Sequence, residues 1–90
     1  LKAEWVGKPA AVVSYGWAGG RSAAAQLSAV LRYIGLALQG EGVQMPFEPT
    51  DFDESMRMID APAFVGRSEA ALRESVDLVV AAAIEERIAA

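Results

Sequence analysis

The sequence has no cysteine and no histidine. The first absence removes disulfides, thiolate nucleophiles and cysteine-ligated zinc. The second removes imidazole acid–base chemistry and most transition-metal sites, so no metal is expected. No apolar run approaches the roughly 20 residues that a membrane helix needs, so no membrane partner is expected. Leu1 to Trp5 carries no apolar stretch of the signal-peptide kind. Together with the lack of cysteine, this gives a cytoplasmic expectation. Basic residues are few, 8 against 12 acidic ones, for a net charge of −4. They are scattered from Lys2 to Arg87, whereas phosphate backbones select clustered Lys and Arg; no nucleic acid is expected. The first residue is Leu, not Met, which raises the expectation of further chain upstream.

What is present is apolar: 53% of 90 residues. That length allows one domain or part of one, with marginal stability if it stands alone. Gly7-Lys8-Pro9 punctuates the chain. Ala10 to Tyr15 follows as a continuous apolar run without alternation, the pattern of a parallel strand covered on both faces. Gly16-Trp17-Ala18-Gly19-Gly20 is a tight glycine loop. Arg21 to Ile34 has helical spacing, with Ala23, Leu27, Val30, Leu31 and Ile34 on one face and Gly35 as its stop. Leu36 to Gln39 and Val43 to Met45 read as strand pieces split by Gly40-Glu41-Gly42, either a bulge or a crossing segment. Strand, helix, strand is the βαβ pattern.

Pro46 to Pro62 holds three prolines and the acids Asp51, Asp53, Glu54 and Asp60. It reads as a solvated loop with at most one helical turn near Ser55 to Ile59, and the acids lack the spacing and glycine of a calcium loop. Ser68 suits the N-cap of a last helix, whose apolar face is Leu72, Val76, Val79, Val80, Ala83 and Ile84. Arg73 and Asp77 are spaced to pair on its wetter side. That helix serves either to cover the sheet or to mediate dimerisation. Met45, Met56 and Met58 read as core gap-fillers.

One segment points to chemistry. Ser14-Tyr15-Gly16-Trp17-Ala18-Gly19-Gly20 lies at the carboxyl end of the expected strand and ahead of a helix, where open α/β sheets bind ligands. Glycine lets backbone amides approach a ligand, and the helix start adds unpaired N–H groups. The same glycines also suffice for a βα turn and nothing more. The loop is neither a P-loop nor a dinucleotide fingerprint. Ser14 has no histidine to act as its base.

The stretch from Trp5 to Leu27, with Gly-Lys-Pro, an apolar strand, Ser14, Gly16 and Gly19-Gly20, resembles the C-terminal half of the NADPH-dependent FMN reductase family. Gly35, Val43, Pro46, Phe52-Asp53 and Asp60 fit the same pattern. The resemblance implies an α/β, flavodoxin-like, three-layer parallel sheet, present in part. Residues 1–90 would be the C-terminal part of a single domain, supplying strands four and five with their helices. It implies FMN and NADPH as cofactors, hydride transfer from NADPH to bound flavin, and a small-molecule electron acceptor. A homo-oligomer is also implied. Ser14, Tyr15, Gly16, Trp17, Gly19 and Gly20 would be cofactor-binding, with no catalytic residue, because the flavin does the chemistry. Trp17 either covers the ring or packs at a subunit interface. Arg21 either reaches a phosphate or nicotinamide or is a solvated helix-start cation. The family's Gly-Ser-x-Arg-x-x-Ser phosphate loop and its Pro-Glu-Tyr-Asn segment are absent, and the resemblance places both before Leu1. The alternative expectation is a non-catalytic flavodoxin-like binding or electron-transfer module.

Overall fold

A computed structural model describes residues 3–89. A 3-10 turn spans Ala3–Trp5; Leu1 and Lys2 lie outside the described residues. The chain then runs β1 (Pro9–Ala10), β2 (Val13–Gly16), α1 (Arg21–Tyr33), β3 (Ala37–Leu38), β4 (Val43–Pro46), α2 (Ala61–Gly66) and α3 (Glu69–Ala89). It is a mixed α/β chain with two small parallel two-stranded sheets and three helices.

The two sheets follow one another along the same two segments. Ala10 pairs with Leu38, whereas Val13 pairs with Val43, so Ala11 and Val12 face the four residues Gln39 to Gly42. The Gly-Glu-Gly split is therefore a bulge. The amide of Gln39 donates to the Ala10 carbonyl at 2.8 Å and that of Val43 to the Val12 carbonyl at 2.9 Å, closing the bulge at both ends. Gly42 has φ +76°, and a Cβ there would collide with the Val12 carbonyl oxygen, so no other residue fits the closure.

Alternate strand residues point to opposite faces of a sheet. Gly20, at the start of α1, lies against the Ser14 side chain, while Ala11 and Val13 line a groove with Leu72, Val76 and Val80 of α3. The two long helices thus lie on opposite faces. The core cluster lies on the α3 face and is small: Val43, Met45 and Phe64 are buried, with Phe47, Met58 and Leu72 packed against them.

Both helices turn less of their apolar surface inward than the spacing predicts. On α1, Ala24 is buried and Ser28 and Leu31 are half-buried, while Ala23, Leu27 and Val30 are exposed. On α3, Ser75 is buried and Leu72 and Val79 are half-buried, while Val76, Val80 and Ile84 are exposed. The reason is width. Two strands span roughly 10 Å, enough to cover one stripe of a helix but not a broad apolar face.

The proline-rich segment holds more structure than expected. A 3-10 turn covers Pro49–Asp51, and an antiparallel bridge joins Phe52 to Met58. Between them Asp53 organises a turn, its Oδ1 accepting from the amides of Ser55 (2.9 Å) and Arg57 (3.0 Å). Helix α2 was not expected at all. Asp60 caps it by accepting from the Ala63 amide at 3.0 Å, and Pro62 sits in its first turn, where a missing N–H costs nothing. Met45 is a core residue, but Met56 is exposed with φ 61°, at the tip of the Asp53 turn. Arg73 pairs with Glu69 at 3.0 Å, one turn back, rather than with Asp77. Both partners are i,i+4 neighbours, and the acid nearer the helix start gives the better orientation.

Candidate functional site

Strands β2 and β4 are parallel and end together, Gly16 opposite Pro46. The next residue of each is aromatic, Trp17 on one and Phe47 on the other. Their rings meet edge to face at 5.6 Å. Phe47 is the hub of a wider cluster: Tyr15 at 5.8 Å, Phe52 at 5.0 Å and Phe64 at 5.3 Å. Trp17 also reaches Phe52 at 5.4 Å. Tyr15 is 65% exposed and Trp17 56%, so the cluster is a surface and not a sealed core. This surface lies at the strand ends where parallel sheets place ligands.

The expected site residues divide into two roles. Ser14 and Gly19 build the loop: the Ser14 hydroxyl donates to the Gly19 carbonyl at 2.6 Å, and Gly19 is buried against Gln44. Gly20 is also constrained by its own fold. It has φ +72°, and a Cβ would stand 2.8 Å from the Tyr15 carbonyl oxygen. Tyr15 and Trp17 face outward. Gly16 accepts from the Phe47 amide at 2.8 Å and from the Gly19 amide at 3.0 Å. Among the described residues, the amides of Trp17, Ala18 and Gly20 make no hydrogen bond. They add to the unpaired N–H groups at the start of α1. Arg21, at that start, is exposed and makes no ion pair among the described residues.

Trp17 packs within its own chain, against Phe47 and Phe52. The sequence reading missed Phe47, Phe52 and Phe64 as partners of the loop. A signal existed for Phe47, which directly follows a strand parallel to the one bearing the loop. Phe52 and Phe64 carried none, because their approach depends on how the irregular segment after Pro46 folds back.

One charged group borders the aromatic surface. Arg67 lies over the Phe64 ring, 5.2 Å from its centroid, and grips Asp51 with two bonds of 2.7 and 2.8 Å. The Glu48 amide donates to the same carboxylate at 2.7 Å. The Arg67 hydrogen bonds, and next the Glu48 amide, hold the Asp51 carboxyl below its ordinary 3.8. The bond to Asp51 in turn raises Arg67. Of the other acids of this segment, Asp53 organises the turn and Asp60 caps the start of α2. Among the described residues no three acids gather where they could hold a metal ion.

The site therefore offers two exposed aromatic rings, Tyr15 and Trp17, three amides without a hydrogen-bond partner among the described residues, and a helix start. It suits the face and the electron-rich edge of a flat ring. No protein-family model, no curated protein and no solved structure matches this chain.

Proposed function

We propose that this chain is the C-terminal part of a flavodoxin-like, three-layer NADPH-dependent FMN reductase, with the Tyr15–Gly20 loop set against the isoalloxazine ring. One observation carries the reading. The glycine loop joins the carboxyl end of a parallel strand to a helix start, and it presents free amides beside exposed aromatics. Bound FMN would supply the redox chemistry between NADPH and a small-molecule acceptor. The residues of this chain bind and orient. Trp17 and Tyr15 offer ring faces, and the amides of Trp17, Ala18 and Gly20 donate to acceptor atoms on the ring edge. Ser14 and Gly19 hold the loop in shape.

The test is a titration with lumiflavin, the ring without its phosphate. Quenching of flavin fluorescence is expected, together with quenching of tryptophan emission, and Trp17→Ala should weaken both. No quenching by a folded chain at millimolar lumiflavin overturns the ring assignment. NADPH consumption with FMN present separates the enzyme from its alternative: flavin binding without consumption moves the reading to a non-catalytic flavodoxin-like module.

A further inference from the structure

Trp17 has two ring neighbours, Phe47 and Phe52, and they are held in different ways. Phe47 follows β4 directly, and its amide donates to the Gly16 carbonyl at 2.8 Å. The pairing of the parallel strands therefore places it. Phe52 lies outside both sheets. It sits in a hairpin over residues 51–59, closed by its bridge to Met58. The Ile59 amide donates to the Asp51 carbonyl at 2.8 Å, and the Asp53 amide to the Arg57 carbonyl at 2.9 Å. These bonds fix the shape of the hairpin, but not where it stands against β4 and α2.

Two kinds of contact set that placement. The first is apolar: Phe52 meets Phe47 at 5.0 Å, and Met58 packs against the buried core. Apolar burial is non-directional, so it holds the hairpin down without fixing its register. The second is the Arg67 guanidinium, which is directional. It bonds both Asp51 oxygens, at 2.7 and 2.8 Å, and reaches the Pro46 carbonyl at 3.4 Å. Its flat side lies over the Phe64 ring at 5.2 Å. One planar group thus registers the residue before Phe52 against the end of β4 and against α2. The Asp51 side chain is only 9% exposed and accepts from the Glu48 amide as well, so the carboxylate is held from two sides.

We propose that Arg67 and Asp51 are positioning residues for Trp17. The pair sets the hairpin, the hairpin sets the Phe52 ring, and that ring holds the indole in the orientation in which its exposed face meets a flat ligand. The ligand half of this statement rests on the flavin reading; the indole half does not. Neither Arg67 nor Asp51 touches the ligand. They act as the support behind the ring that does, and a site is as precise as that support.

The experiment uses the Trp5→Phe chain, in which Trp17 is the one left of two tryptophans. Emission maximum and acrylamide quenching report the indole with no ligand present, and a lumiflavin titration reports the ring site. Arg67→Ala should red-shift the emission, raise the quenching constant and raise the lumiflavin dissociation constant about threefold or more. Arg67→Lys should do nearly the same, since an ammonium cannot make two parallel bonds. Arg73→Ala, which breaks the exposed pair with Glu69, should move neither readout. In a Phe52→Ala background the effect of Arg67→Ala on Trp17 should vanish, because the coupling runs through Phe52. An unchanged Trp17 in Arg67→Ala overturns the proposal, and so does an equal change with Phe52 already removed. Should Arg67→Ala lose helical circular dichroism, Arg67→Lys decides by the same criteria. A parent chain that takes no lumiflavin sinks the flavin reading and leaves the emission to decide the positioning. Lumiflavin affinity that holds while Trp17 moves overturns the role of the pair in ligand binding.

Discussion

The guanidinium of Arg67, just past α2, grips the carboxylate of Asp51 through two parallel bonds of 2.7 and 2.8 Å, across 16 residues of chain. The pair ties the 3-10 turn after β4 to the end of α2, and so fixes the segment that carries Phe52 beside the one that carries Phe64. Planar, bidentate geometry of this kind is specific to arginine; lysine offers a point charge only. Arg67→Lys should therefore loosen the turn nearly as much as Arg67→Ala does, read as faster amide exchange at Asp51 and Phe52.

The same pair sets an acid limit. The folded pKa of Asp51 lies below the unfolded one, so its contribution to stability is complete above the ordinary carboxylate value of 3.8. It is lost as pH falls from there through the lower folded value. Asp51→Asn should flatten that part of the acid limb in urea melts taken at stepped pH. An unchanged limb would show that the pair does not couple to folding.

Phe47 touches Tyr15, Trp17, Phe52 and Phe64, and it joins the buried core to the exposed loop. Phe47→Ala should cost about 2–3 kcal/mol, somewhat less than truncation of a fully buried ring. It should also release Trp17, seen as a red shift and broadening of its emission. Denaturant melts followed by circular dichroism and by tryptophan fluorescence measure the two effects.

Two glycines with similar φ make a matched comparison. Gly42 has φ +76° with the Val12 carbonyl in the way of any Cβ, while Gly7 has φ +79° and open space around it. Gly7→Ala should cost about 1 kcal/mol, the strain of a left-handed alanine. Gly42→Ala should cost about 2–4 kcal/mol, because the bulge must also open. Equal losses would mean that the bulge does not close as described.

Met56 holds a left-handed backbone with φ 61° on an exposed side chain. Met56→Gly removes that strain against a smaller entropy cost and should stabilise the chain by up to about 1 kcal/mol. Thermal unfolding reads the change.

Gly19→Val or Gly20→Val would at first sight probe ligand binding. Both glycines are needed by the loop itself, since a Cβ at Gly20 meets the Tyr15 carbonyl and the Ser14 side chain. Loss of flavin affinity in those variants would report a broken turn. Trp17→Ala, at an exposed ring, is the cleaner probe.

Local sequence determined the strand–loop–helix unit and its neighbours. A glycine loop and a 3.6-residue period ending at Gly35 are short-range signals, and α1 and β4 lie where they pointed, whereas the apolar run expected as one covered strand over Ala10 to Tyr15 is split at Ala11 and Val12 into β1 and β2, with Val13 and Tyr15 exposed. Asp60 and Pro62 also spelled the start of α2, a signal masked by the prolines around it. The long-range arrangement was decided only by the tertiary structure. The fold-back of residues 48–64 brings Phe52 and Phe64 to Phe47, and Arg67 to Asp51. The two-strand width decided which apolar residues of α1 and α3 are covered. Periodicity marks a face as apolar, but it carries no information on how wide a surface the rest of the chain offers to that face. Contacts between distant segments depend on closure and packing, which no local window contains.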